Sequence, residues 1–209
     1  MTARTAPAPT AAAVHVRIAG PDDAPALAAF AARCFTETYA RPAGAPPRDS
    51  TPPLVAASRP EDVTAYVGAH FTPDRQRAEL ADPALVTFVA VAAAGVPDSA
   101  WAGYAQLRLA PDPNTPTPPA CAGAAPRELA RLYVDPAWHG RGVADALVDA
   151  VQARARAAPG GAAPLWLAVY QANARAITFY RRRGFFAVGE AEFWMGAERQ
   201  RDWLMTWRG

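Results

Sequence analysis

Two glycines flank an arginine at Gly140-Arg141-Gly142, between an apolar run ending at Val134 and an amphipathic stretch opening at Val143. A strand that turns through glycines straight into a helix leaves the first backbone N–H groups of that helix unpaired, with a partial positive charge. Glycine lets such a backbone approach a ligand with no Cβ in the way. The chemistry this suits is the binding of an anion of pyrophosphate type, with Arg141 adding charge beside it. A tight strand-to-helix turn would need the same two glycines, so both readings stand. No Gly-Lys-Ser/Thr follows, which argues against ATP hydrolysis, and the three-glycine dinucleotide fingerprint is absent, which argues against NAD. Cys34 and Cys121 are far apart with no CxxC partner, and three scattered histidines make no metal set, so neither a disulfide framework nor a zinc or other metal site is expected.

The elements that would position this loop can be read around it. Val14 to Ile18 alternates as a strand does, and Gly20-Pro21-Asp22-Asp23 opens an Ala-rich helical stretch to about Tyr39. Residues 41–60 are rich in proline and read as a long surface loop. Ser58-Arg59-Pro60-Glu61 has the spacing of a capping box for a helix to about His70. Thr72-Pro73-Asp74 reads as a second helix start. Strands are expected at 85–92, 101–109 and 128–134, with turn-rich or proline-rich connections at 96–99 and 111–126. A helix from Val143 to about Ala157 puts Val143, Leu147, Ala150 and Val151 on one face, and Pro159-Gly160-Gly161 stops it. Leu165 to Val169 suits a strand buried on both faces. Asn173 sits where the N-cap of a helix from Ala174 to Arg183 belongs, and Gly184 where its terminating glycine belongs. Strands at 185–188 and 203–207 close the chain. The order predicts an α/β (α+β) fold, a mixed sheet with helices on both faces.

Composition narrows the function classes. The chain has 209 residues, 51% hydrophobic and 19% charged, enough apolar material for a real core. All 21 basic residues are arginine and the formal charge is +2, which does not point to a nucleic-acid partner. No run approaches the roughly 20 apolar residues of a membrane span. The first 13 residues are Ala-, Pro- and Thr-rich and read as a disordered tail, with no secretory signal, so a cytoplasmic protein with one domain over 14–208 is expected.

Glu128-Leu-Ala-Arg-Leu-Tyr-Val-Asp-Pro-Ala-Trp-His-Gly-Arg-Gly-Val-Ala-Asp-Ala-Leu147 resembles the acetyl-CoA signature of the GNAT superfamily of N-acetyltransferases. The family pattern is Gln/Arg-x-x-Gly-x-Gly/Ala, and here it reads His139 to Ala144, with His139 replacing the first Gln or Arg. Leu165 to Phe185, with Asn173 and the Phe179-Tyr180 pair, resembles the family's fifth strand and following helix. Phe193 to Met205, Pro60 to Tyr66 and Ala78 to Leu80 are similar to bacterial spermidine/spermine N-acetyltransferases of the PaiA type. The resemblance implies a GNAT fold of six or seven strands with four main helices. In it, the strands at 128–134 and 165–169 run parallel and splay apart, and pantetheine lies in the splay. It implies cofactor contacts at Leu132, Tyr133 and Val134, phosphate contacts at His139, Gly140, Arg141, Gly142, Val143 and Ala144, and further contacts at Asn173 and Tyr180. It implies acetyl-CoA as co-substrate and no metal.

Acyl transfer from a thioester to an amine needs the amine deprotonated, donors for the oxyanion, and a proton for the leaving thiolate. By the resemblance, Tyr180 supplies that proton. With a reference tyrosine pKa near 10 against about 8.5 for a thiol, this requires either a lowered tyrosine pKa or a desolvated, more basic thiolate. A core aromatic sharing a face with Ile177 is the other reading of Tyr180. Glu128, eleven residues before His139, is the candidate base, acting through water, or else an exposed carboxylate at the start of a strand. Oxyanion donors would be strand N–H groups near Leu132. The acceptor is expected to be a small primary amine or polyamine, with Glu37, Glu128, Glu190 and Glu192 as its carboxylates. Ala130 stands where PaiA-type members often carry a second acid. Trp194, Trp203 and Trp207 could line an acceptor pocket or belong to the core. A protein N-terminal or lysine acetyltransferase and a non-catalytic acetyl-CoA-binding regulator are the alternatives. A homodimer is open, since the apolar final strand could pair across a subunit interface.

Overall fold

The computed structural model describes residues 14–39, 58–92, 101–112, 115, 117–121, 125–158, 163–196 and 198–207. Residues 1–13, most of the loop at 41–60, the turn at 96–99, part of the 111–126 connection and the Pro159-Gly160-Gly161 stop lie outside the described residues.

Seven strands form one sheet: β1 (Val14–Ile18), β2 (Leu85–Ala92), β3 (Trp101–Arg108), β4 (Arg127–Val134), β5 (Leu165–Tyr170), β6 (Phe185–Met195) and β7 (Glu198–Trp207). The order is β1-β2-β3-β4-β5-β7-β6, and β4 with β5 is the parallel pair. The helices are α1 (Ala24–Tyr39), α2 (Pro60–His70), α3 (Pro73–Ala81), α4 (Val143–Ala157) and α5 (Ala174–Arg182). That is one more than the four main helices the resemblance implies. The additional break falls at Thr72, whose hydroxyl accepts from the Arg75 N–H at 3.2 Å with Pro73 at the first helical position. Two apolar layers sandwich the sheet. Leu147, Val148 and Val151 of α4 and Ile177 and Tyr180 of α5 pack on one face, with Leu129, Leu165, Leu167 and Met205. Leu27, Phe30 and Phe35 of α1, Val63 of α2 and Phe71 pack on the other, with Val89, Tyr104 and Met195.

Three sequence expectations are corrected. Ser58 forms no capping box: its hydroxyl is buried and accepts from the Gln200 amide at 3.2 Å, and Arg59 is the N-cap of α2, without a side-chain capping bond. β6 and β7 are about twice as long as the apolar runs suggest, because their outer halves alternate exposed charge (Glu190, Glu192, Arg199, Arg201) with inward residues. The final strand β7 is bonded on both edges, to β5 and to β6, so it has no free edge for a ladder across a subunit interface.

One irregularity decides what the site contains. Gln106 of β3 pairs with Arg131, and Leu107 with Leu129, so Ala130 is an extra residue on β4. A bulge of this kind reverses the alternation of side chains beyond it. Leu129, Leu132 and Val134 consequently all pack toward α4, while Arg131 and Tyr133 turn to the α1–α3 face. There Arg131 grips the buried Glu79 of α3 through both nitrogens, at 2.6 and 3.2 Å, and its guanidinium lies over the Phe71 ring. Glu79 also accepts from Arg75 and Gln106, so the buried charges are paired and hydrogen-bonded, as burial demands.

Candidate active site

The ladder between β4 and β5 is short: Arg127 pairs with Leu165 and Glu128 with Trp166, and the strands then part. Beyond Glu128 the β5-facing edge of β4 is open. The N–H of Asp135 donates to the Ala102 carbonyl at 3.0 Å. Antiparallel alternation therefore turns the backbone groups of Tyr133 to β3 and those of Leu132 and Val134 to the open edge. Of the three expected backbone contacts, Leu132 and Val134 are thus on the splay. Tyr133 is not; its phenol projects on the α1–α3 face, where its ring stacks on Tyr104 with centroids 5.6 Å apart.

At the end of β4 a short 3-10 turn, Pro136–Trp138, leads into the glycine loop. Gly140 and Gly142 hold φ of 73° and 76°, in the left-handed region that favours glycine, and Gly142 is the N-cap of α4 with no side-chain cap. Arg141 lies over the Trp138 ring, 5.5 Å from its centroid. His139 is engaged on three sides. Its backbone N–H bonds the Pro136 carbonyl at 3.2 Å, Nε2 lies 3.0 Å from the Val134 carbonyl, and Nδ1 lies 2.8 Å from the Arg175 guanidinium. Arg175 can only donate, so Nδ1 accepts and Nε2 carries the hydrogen given to Val134. His139 therefore has no backbone N–H to spare for a phosphate, but its ring brings Arg175 of α5 to the loop. Arg175 was not among the residues picked out from the sequence, because its place beside the loop depends on the crossing of α5 and β4.

Asn173 caps α5, its side chain accepting from the Ala176 N–H at 3.0 Å. Tyr180, two residues before the end of α5, is buried and packs edge-on to Phe179 and Phe185. Burial, and secondarily the nearby Tyr39 phenol, raise its pKa well above that of free tyrosine. Among the described residues no cation offsets this, so the condition of a lowered tyrosine pKa is not met.

Glu128 lies at the closed end of the splay and is mostly buried. It bonds Arg108 at 3.2 Å, and Arg108 also reaches Asp112. Burial raises its carboxyl pKa against the pull of Arg108. Four residues at about 3.3 Å of rise put Leu132 roughly 13 Å further along the strand. Glu37 is exposed beside Arg33, Glu192 is exposed with Arg199, and Glu190 is exposed; none of them enters the sheet face that carries Tyr133. Trp203 and Trp207 pack partly into the α4–α5 core, and Trp194 is exposed. The carboxylate missed from the sequence is Asp202 of β7. It stands between Arg201 and Trp203 in a segment that reads as alternating surface and core.

Among the described residues no helix is long and apolar enough to cross a membrane, and no group of His, Cys, Asp or Glu is arranged to hold a metal. A splayed parallel pair with a glycine-lined helix start at its mouth suits an extended ligand that carries a phosphate group. Residues 55–185 match the acetyltransferase (GNAT) family. An uncharacterised N-acetyltransferase of Mycobacterium tuberculosis is 34% identical over 184 residues, covering 88% of this chain and 96% of its own length. A second, of Lactobacillus delbrueckii subsp. lactis, is 27% identical over 70% of this chain and 78% of its own. In fold, the PaiA N-acetyltransferase of Thermoplasma acidophilum, solved with coenzyme A, superposes with a TM-score of 0.63 at 16% identity, over 94% of this chain and 99% of that one. Arabidopsis thaliana NAA60, solved with acetyl-CoA, does so with 0.64 at 15% identity, over 93% and 97%. The chain belongs to the GNAT acetyltransferase family. It is an N-acetyltransferase, an acyltransferase whose donor is acetyl-CoA.

Proposed function

We propose that the protein moves the acetyl group of acetyl-CoA to the primary amine of a small molecule, a polyamine among the candidates, by direct attack without a covalent enzyme intermediate. The observation that carries this reading is the open edge of β4 running from Leu132 to the left-handed glycines 140 and 142. Leu132 and Val134 offer backbone groups to pantetheine as an added strand would. The loop from Gly140 through Ala144 offers helix N–H groups to the pyrophosphate, with Arg141 beside it. The Leu132 N–H, turned to the open edge, is the donor assigned to the oxyanion in this reading. Asn173 fixes the start of α5 and so the direction from which Tyr180 enters. Tyr180 remains protonated over the working pH range and gives its proton as the C–S bond breaks, regaining it from the amine nitrogen. Glu128, shared with Arg108 at the closed end, contributes negative charge to the floor on which a cationic acceptor would lie.

The test is an amine panel with acetyl-CoA, following thiol release: spermidine, spermine, aminoglycosides, amino acids and a short peptide. Saturable turnover on one small-amine class is expected. Tyr180→Phe should lower kcat by about 100-fold, the lower end of the range for losing a general acid, with acetyl-CoA affinity within threefold. Turnover confined to the peptide would overturn the small-amine reading, and an unchanged kcat in Tyr180→Phe would overturn the proton donor.

A further inference from the structure

Asp202 pairs in register with Tyr170 across β5 and with Ala191 across β6. Its neighbours Trp203 and Met205 pack toward α4 and α5 or alternate with residues that do, so Asp202 lies with Gln200 and Leu204 on the opposite face. That face also carries Arg131 and Tyr133 beyond the bulge. One carboxylate oxygen, Oδ1, is buried and has no hydrogen-bond partner among the described residues, and no ion pair involving Asp202 occurs among them. A carboxylate kept from water without a partner is costly and normally avoided. The register sets Asp202 at the open end of the splay, across from Tyr170, the last residue of β5. The floor beside it is open, with Ala168 of β5 exposed. Glu37, Glu128 and Glu192 are each beside an arginine, and Glu190 is exposed, so of these carboxylates and Asp202 it is Asp202 that is buried without a cation among the described residues.

We propose that Asp202 receives the ammonium group of the acceptor and takes its first proton. The inference rests on the reading of the acceptor as an amine. The balance is complete within the known reactants. The ammonium gives one proton to the Asp202 carboxylate, and the freed lone pair forms the N–C bond at the thioester carbonyl. The C–S bond breaks, and the second nitrogen proton ends on the thiol by way of Tyr180. Asp202 then returns its proton to water.

The experiment compares wild type with Asp202→Asn, with Asp202→Glu as rescue and Asp74→Asn, exposed on α3, as the control left unchanged. The groups facing Asp202 are Tyr170 from β5 and Tyr39 from α1; Ala191 of β6 and Gln200 and Leu204 of β7 do not titrate. Desolvation pushes the Asp202 carboxyl up to about 6. If ammonium binds the ionised carboxylate, kcat/KM falls below about pH 6 and is flat above it until the amine itself titrates near pH 10. In Asp202→Asn, kcat/KM at pH 7.5 should fall at least 100-fold, with acetyl-CoA affinity within threefold. The residual rate should climb tenfold per pH unit toward pH 10, because the free amine must then be captured from solution. Asp202→Glu should recover part of the loss and retain an acid limb. A wild type that turns over amines while Asp202→Asn keeps its rate within fivefold and the same profile overturns the assignment and leaves the acceptor reading intact. Turnover of the peptide alone defeats the small-amine reading, and the same comparison then decides Asp202 on the peptide's amino terminus. Absence of turnover on every amine and peptide overturns both.

Discussion

Loss of water acts in opposite senses on the two groups proposed to move protons. At Tyr180 it preserves the protonated form that a donor needs, and no neighbouring cation works against it. At Asp202 it opposes the ionised form that an acceptor of protons needs, and nothing among the described residues compensates. The second case has a stability consequence. The folded carboxyl titrates near 6 against an ordinary 3.8, so the folded chain holds its proton more tightly than the unfolded chain does. Stability therefore falls as pH rises from about 4 through 6, and the penalty is full above that window. At about 1.4 kcal/mol per unit the ceiling is about 3 kcal/mol, and partial exposure of the group reduces it to about half. Asp202→Asn should be more stable than wild type by about 1 kcal/mol at pH 8 and no more stable at pH 4, measured by urea denaturation at both values. A variant equally stable at both values, or destabilised at pH 8, would mean that the carboxylate already has a partner in the fold. A residue that stabilises when neutralised yet abolishes turnover is one retained for function.

Elements supply what no single residue does, and they differ in how far the sequence exposes them. The strand-to-helix turn at 140–142 was legible, since glycine types and the flanking periodicities both point to it. Asn173, Thr72 and Gly184 were legible for the same reason: caps are local chemistry. The bulge at Ala130 was not, because nothing in Leu129-Ala130-Arg131 signals an extra residue, and register is a property of two strands at once. That one residue determines whether Arg131 and Tyr133 face α3 or the α4 core, so the composition of that face was hidden with it. Asp202 was hidden because the outer half of β7 carries too few apolar residues to mark its faces. At the legible turn, the structural and ligand-binding roles of the glycines can be separated. Gly142→Ala forces a Cβ into the left-handed region and should cost about 1 kcal/mol of stability. If the loop also cradles phosphate, acetyl-CoA affinity should fall at least tenfold by calorimetry at a temperature where the variant is fully folded. Lost stability with unchanged affinity would leave the turn as its whole role.

At the scale of the whole molecule, the sheet is two ladders joined at a narrow seam. Strands β1 to β4 form one ladder, and β5, β7 and β6 the other. Between them stand two residue pairs, the shared core beneath α4 and α5, and the buried Arg127. The guanidinium of Arg127 bonds the Ala155 and Ala158 carbonyls at the end of α4. The open stretch of β4 carries backbone groups that water must satisfy when no ligand is present. A pantetheine arm bonded there would complete the β4 edge and bridge the seam, so binding should be felt by both ladders. Acetyl-CoA at 100 times its Kd should add about 2.7 kcal/mol to stability. At roughly 2–4 °C per kcal/mol for a chain of this size, Tm should rise by about 5–10 °C. The location is the stricter test. Hydrogen exchange should slow most at the Leu132 and Val134 amides and at the first turn of α4, while the Tyr133 amide, already given to β3, should change little. A rise in Tm with no protection along that edge would place the cofactor elsewhere, and the alternation of Leu132 and Val134 toward the splay would then have no functional meaning.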